Sequence, residues 1–140
     1  MSYEELVELS KRLPYITESE RIDVLSKNSE VVDFKSNEYC NSLTENEKWT
    51  ILKNNYWLYR KFAESATEEM TKYVLAKNSM MLQFVAEPTE EQIKRAIIKN
   101  PLSFQFVKEI TQGIMDIVAK YNKYYKEFYE DEIKKFCSNC

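Results

Sequence analysis

T-E-E-Q-I-K-R-A-I-I-K-N-P-L-S-F-Q-F-V, from Thr89 to Val107, is the stretch whose reading decides the fold. It reads as two short helices joined at Asn100. Thr89 is a suitable N-cap, because its hydroxyl accepts from an otherwise unpaired amide of the first turn. Gln92 three residues on completes a capping box. Glu90 and Glu91 sit where the helix dipole favours negative charge, and Lys99 where it favours positive charge. Pro101 follows Asn100 at the position where proline suits a helix start, so the asparagine reads as N-cap of the second helix rather than as a left-handed cap of the first.

Working outward, the chain writes this pattern about five times. Rows begin at Thr17, Thr44, Thr67, Thr89 and Thr111, at spacings of 27, 23, 22 and 22 residues. An asparagine follows eleven residues later in every row, at Asn28, Asn55, Asn78, Asn100 and Asn122. A fixed period near 22 marks a repeat array. Glu20 and Glu47 repeat the capping box of Gln92. Two apolar residues recur seven and eight places after the threonine: Val24 and Leu25, Ile51 and Leu52, Val74 and Leu75, Ala96 and Ile97, Val118 and Ala119. Second-half apolar residues are Val31, Val32 and Phe34; Leu58 and Phe62; Met81, Leu82, Phe84 and Val85; Leu102, Phe104, Phe106 and Val107. Ordering costs about 1.5 kcal/mol per residue. A unit this small cannot offset that alone, so neighbours must stack and share a core. The expectation is an all-α fold, a small α-solenoid of two-helix repeats forming one domain over residues 1–140.

Composition agrees with an all-α reading. One glycine and three prolines in 140 residues are too few turn formers for a β-rich chain. With 44% apolar and 31% charged residues, the chain has the balance of a folded globular protein. Net charge is −3, which disfavours a dedicated duplex-DNA binder, since such proteins carry a basic face. The charge is uneven: residues 1–50 hold eleven acidic and six basic side chains, and the rest hold twelve and fourteen. Lysines outnumber arginines sixteen to four, as in many AT-rich coding genomes, phages included. Three cysteines, the lack of a signal peptide and the lack of a long apolar run predict a soluble cytoplasmic protein with reduced thiols and no membrane partner.

Along the chain, Ser2 with Glu5 reads as a capping box, and Leu6, Val7, Leu9 and Leu13 as an apolar stripe that Pro14 ends. This predicts a degenerate half-repeat capping the stack. Ser36 to Ser42, with Cys40 inside it, reads as a loop insertion. The Thr44 row is aromatic. Tyr56, Trp57 and Tyr59 read first as core and groove packing. The sharper reading turns them partly outward as partner anchors, because Trp and Tyr dominate interface hot spots. Met70, Met80 and Met81 read as packing filler. The last row departs from the pattern and predicts one long closing helix from about Gln112 to Phe136, carrying Tyr121, Tyr124, Tyr125 and Tyr129 as a second set of partner anchors.

Signals for chemistry are sparse. The chain has no histidine, which removes the commonest general base and metal ligand. Cys137-Ser-Asn-Cys140 has C-x-x-C spacing, but with Cys40 it supplies too few ligands for zinc. It also lies at the chain end rather than at a helix start, where a thiolate would be stabilised. Carboxylate pairs such as Glu90 and Glu91, or the run Glu130, Asp131 and Glu132, need a pocket that separates their pKa values. No cofactor, metal or catalytic residue is therefore expected. Lys27, Lys53, Lys77 and Lys99 recur near the ends of the first helices. They read as helix-end charge complementation, or as a ladder that follows a nucleic-acid backbone beside tyrosines.

T-E-E-x-x-x-x-V-L-x-K-N and L-Q-F-V-x-E, at Thr67–Asn78 and Leu82–Glu87, resemble a class of short two-helix repeats. These occur in uncharacterised phage, giant-virus and bacterial proteins and are grouped as a domain of unknown function. The resemblance covers roughly residues 17–110, with the Thr17 and Thr111 rows departing from it. It implies a helical-repeat architecture and supplies no catalytic residues. The expected function is a non-enzymatic protein-binding module, phage-encoded, that inhibits a host defence or expression factor in the host cytoplasm. The alternative is a nucleic-acid or nucleotide binder using the lysine ladder and tyrosines. A homo-oligomer formed through an incompletely capped stack end is compatible with either.

Overall fold

A computed structural model of the chain describes residues 1–120. They are all-helical, with no strand among them. Seven α-helices occur in this span: α1 (Tyr3–Arg12), α2 (Glu18–Lys27), α3 (Asn37–Asn41), α4 (Glu45–Asn54), α5 (Glu68–Lys77), α6 (Glu90–Lys99) and α7 (Gln112–Lys120). The chain divides into two compact units, Met1–Lys77 and Asn78–Cys140.

The threonine column starts the helices as its chemistry dictates. Thr17, Thr44 and Thr89 each form a complete capping box, with Glu20, Glu47 and Gln92 returning to the cap backbone. The Thr67 and Thr111 hydroxyls accept from the Met70 and Ile114 amides at 3.2 and 3.3 Å. Ser2 does the same for Glu5 at 3.2 Å. A three-residue 3₁₀ turn at Leu13–Tyr15 follows α1 and carries Pro14 in its first positions.

In the Thr17, Thr44, Thr67 and Thr89 rows the second half is a 3₁₀ segment rather than an α-helix: Ser29–Phe34, Tyr56–Lys61, Ser79–Phe84 and Pro101–Phe106. Each opens with a three-residue bond to the asparagine carbonyl, from Val31 to Asn28, Leu58 to Asn55, Met81 to Asn78 and Ser103 to Asn100. 3₁₀ geometry suits short connectors of this length. The Asn55, Asn78 and Asn100 side chains accept from the amides two residues on, at 3.1, 3.0 and 3.0 Å. No non-glycine residue among those described has positive φ. The asparagine is thus an N-cap, and a left-handed cap is not used. Asn28 makes no such side-chain bond.

Ser36 to Ser42 is not a loop but α3 (Asn37–Asn41) with its two caps. Ser36 caps it by accepting from the Tyr39 amide at 3.1 Å, and Cys40 is fully buried. The apolar Cys40 and Leu43 pull this insertion into the core, which its polar composition conceals.

In the first unit α2 packs on α4, α4 on α5, α1 on Ser29–Phe34, and Ser29–Phe34 on Tyr56–Lys61. Leu25, Val32, Ile51, Leu58, Phe62 and Val74 are among its fully covered residues. In the second unit α6 packs on α7, and Ser79–Phe84 on Pro101–Phe106, around Met81, Ile97, Phe104 and Ile114. The same polar link recurs in both units. The Thr44 hydroxyl donates to Glu18 at 3.1 Å, and the Thr111 hydroxyl donates to Glu90. Each joins a cap threonine to the first helical residue of the preceding row.

Candidate functional site

The aromatic row separates into two environments. Trp57 is 40% exposed and Tyr56 half-buried, and their rings stack with centroids 6.1 Å apart. Tyr59 is buried, in line with the core-packing reading of this row and against its alternative as an outward partner anchor. Its hydroxyl shares a 2.9 Å hydrogen bond with Thr71, and burial raises its phenol above the ordinary tyrosine value while Thr71 opposes the shift. The cause is the 3₁₀ period. Three residues per turn put Tyr59 and Phe62 on one inward line and leave Trp57 on the outward one.

The equivalent outward position carries an apolar side chain in the Thr89 row, and Phe34, at a different row position, is exposed as well. Leu102, which lies thirteen residues after its row threonine as Trp57 does, is 38% exposed. Phe34 is 36% exposed. Its ring takes an edge contact from Tyr3, with centroids 5.3 Å apart. Asp33 of Ser29–Phe34 and Arg60 of Tyr56–Lys61, both in the first unit, form an ion pair at 2.7 Å. Lys61 donates to the Lys35 carbonyl at 2.7 Å, tying the two 3₁₀ segments together. The two adjoining segments therefore each carry an exposed aromatic ring and are linked by a salt bridge. The sequence did not mark Phe34, because an aromatic in the second half of a row reads as core.

Lys27, Lys53, Lys77 and Lys99 are all exposed. Lys27 pairs with Asp23 at 3.1 Å, and the Lys77 ammonium lies over the Tyr73 ring, 5.4 Å from its centroid. Lys27, Lys77 and Lys99 occupy the final residue of their helices, where a cation complements the helix end. Tyr121, Tyr124, Tyr125, Tyr129, Cys137, Cys140, the acidic run from Glu130 and the closing helix beyond Lys120 lie outside the described residues.

A half-open hollow of about 460 Å³ lies within the second unit, lined by residues that include Gln83, Gln105, Phe106, Glu90, Thr111 and Ile114. The hydrogen bond from Thr111, with Lys94 nearby, holds the Glu90 carboxyl below the ordinary glutamate value. That is the opposite of the raised pKa that equips a carboxylic acid as proton donor. Burial pulls the Lys48 ammonium below the ordinary lysine value, against the pull of Glu45 and Glu47. No group of three or more metal-ligating side chains occurs among the described residues. No described helix is long and apolar enough to cross a membrane. No protein-family model, curated protein or solved structure matches the chain.

Proposed function

We propose that this chain is a non-enzymatic protein-binding module whose two-part rows stack as a small α-solenoid. The observation that carries the reading is the exposure of Phe34 and Trp57 on the adjoining segments Ser29–Phe34 and Tyr56–Lys61. Large aromatic side chains left on a surface rimmed by polar groups are the usual anchors of protein interfaces. Support for stacking comes from helix-on-helix and 3₁₀-on-3₁₀ packing within each unit, and from the repeated link of Thr44 to Glu18 and Thr111 to Glu90. In this reading the rows belong to the two-helix repeat class the sequence resembles. The partner is then a host protein, a defence or expression factor that a phage gains by inhibiting.

The test is retention of a partner on the immobilised chain. Phe34→Ala with Trp57→Ala should release a stoichiometric protein that the unaltered chain holds at high salt. Equal retention by both chains would remove the aromatic face from the reading. Retention of nucleic acid at low salt alone, lost on Lys77→Glu with Lys99→Glu, would replace protein binding by the nucleic-acid alternative.

A further inference from the structure

The α1–α2 end of the first unit carries a second surface. α1 buries only Ser10, and its apolar residues Leu6, Val7 and Leu9 stay half-exposed. A surface helix ordinarily buries such a stripe. A groove of about 460 Å³ lies between α1 and α2, with Leu9, Ile16 and Val24 as its apolar side chains. A second hollow of about 380 Å³ shares Leu9 and Arg12 with it. Tyr15, 88% exposed, precedes Ile16 in the connection.

The rim of this surface is acidic. Glu4, Glu5 and Glu8 line it from α1, and Glu20 and Asp23 from α2, against the single cation Arg12. Lys11 matches Glu8, Lys27 matches Asp23, and Glu20 is engaged by the Thr17 cap. Glu4 and Glu5 have no ion-pair partner among the described residues.

We propose that the groove docks a cationic amphipathic helix of a partner protein. Its apolar side chains would cover Leu9, Ile16 and Val24, and its lysines or arginines would meet Glu4 and Glu5. Charge selects this occupant. A second copy of the chain would set the same acidic rim against itself, and an anionic membrane or nucleic acid is repelled by it. The half-exposed Leu9, Ile16 and Val24 require apolar atoms from the occupant, so a plain polycation leaves them wet. The proposal goes beyond the Phe34 and Trp57 face and uses different elements.

The experiment is fluorescence anisotropy of the full chain with three labelled peptides. One is an amphipathic Lys/Leu helix, one its Glu/Leu counterpart, and one a scrambled Lys/Leu sequence of equal composition. The Lys/Leu helix should bind, more weakly as salt rises. The other two should bind at least about tenfold more weakly. Glu4→Lys with Glu5→Lys should cost at least about tenfold, while Glu64→Lys, on the Ala63–Ser65 segment, should stay within about twofold. Leu9→Ser, checked for folding by circular dichroism, should also weaken binding. Equal binding of all three peptides overturns the proposal, as does a Glu4/Glu5 variant indistinguishable from Glu64→Lys. A dimer in sedimentation equilibrium that Leu9→Ser dissociates gives the groove to a second copy and overturns it too. Loss of peptide binding by Trp57→Ala alone, which spares the Phe34 ring that touches Tyr3 of α1, would move the peptide to the aromatic face, so the two readings fail separately.

Discussion

Arg21 on α2 donates to Glu47 on α4 at 2.5 Å, and the Glu47 side chain is 1% exposed. The same guanidinium donates to the Ile16 carbonyl at 2.6 Å. Glu47 meanwhile accepts from the Thr44 amide at 2.9 Å as the returning half of a capping box. One carboxylate therefore caps the start of a helix and joins two rows. Its burial is tolerable because each oxygen has a donor.

Removing one member of this pair should be costly. Arg21→Met leaves a buried carboxylate without its cation, and a loss of about 3 kcal/mol is expected in urea unfolding. Arg21→Met with Glu47→Met should recover most of it, because two packed apolar side chains can replace a buried ion pair. A double variant as unstable as the single one would show that Arg21 acts through packing instead.

The asparagine column gives a series with a built-in control. Asn55→Ala, Asn78→Ala and Asn100→Ala each remove a cap bond, and about 1 kcal/mol each is expected. Asn28→Ala removes no side-chain cap bond and should cost clearly less. Glycine at Asn100 should not stabilise, because the backbone there is extended at φ −146 rather than left-handed. A stabilising Asn100→Gly in thermal unfolding would contradict this.

Alkaline pH should weaken the first unit. Burial raises the Cys40 thiol and the Tyr59 phenol above their ordinary values. Between the unfolded and folded pKa of each group the native state binds more protons, so stability falls as pH rises. The decline begins near pH 9, where an exposed thiol ionises, and continues as tyrosine follows. Lys48 is shifted downward and opposes the trend, since its burial disfavours the charged form present at lower pH. Cys40→Ala should flatten the first part of the decline in denaturation midpoints measured from pH 8 to 11. Unchanged steepness would assign the decline to other groups.

Cys40 should resist alkylation in the native chain. Its sulfur is fully buried, with the Val32 carbonyl 3.8 Å away, and a raised thiol pKa leaves little thiolate to react. Peptide mapping after brief iodoacetamide treatment should find it unmodified until denaturant is added. Early modification would mean that α3 opens without global unfolding.

Gly113, the single glycine, sits in α7 against Glu90 and Lys94. A Cβ there would come within 2.7 Å of the Glu90 Oε1. Gly113→Ala gains helix propensity of about 1 kcal/mol and displaces a flexible side-chain end. The Glu90 carboxyl should then titrate closer to the ordinary glutamate range, because its bond from Thr111 is disturbed. Carboxyl chemical shifts against pH would detect this, and an unmoved midpoint would mean that Glu90 keeps its place.

The sequence by itself determined the rows, their caps and the helical class, because these rest on contacts within about four residues. Thr89 and Gln92 find each other across one turn whatever surrounds them. Asn100 bonds the amide two residues on. Tertiary structure decided which side of each second segment faces inward. In Tyr56–Lys61 the three-residue turn separates the buried Tyr59 from the exposed Trp57, whereas Phe34 is exposed at the end of its own segment although Val31, one turn earlier, is fully buried. It also decided that the polar segment Ser36 to Ser42 folds as α3 over the core, because Cys40 and Leu43 have somewhere to be buried. The half-covered stripe of α1 depended on packing as well. Leu6, Val7 and Leu9 carry an ordinary amphipathic pattern, and only the arrangement of neighbouring elements leaves that pattern open beside the acidic side chains of α1 and α2.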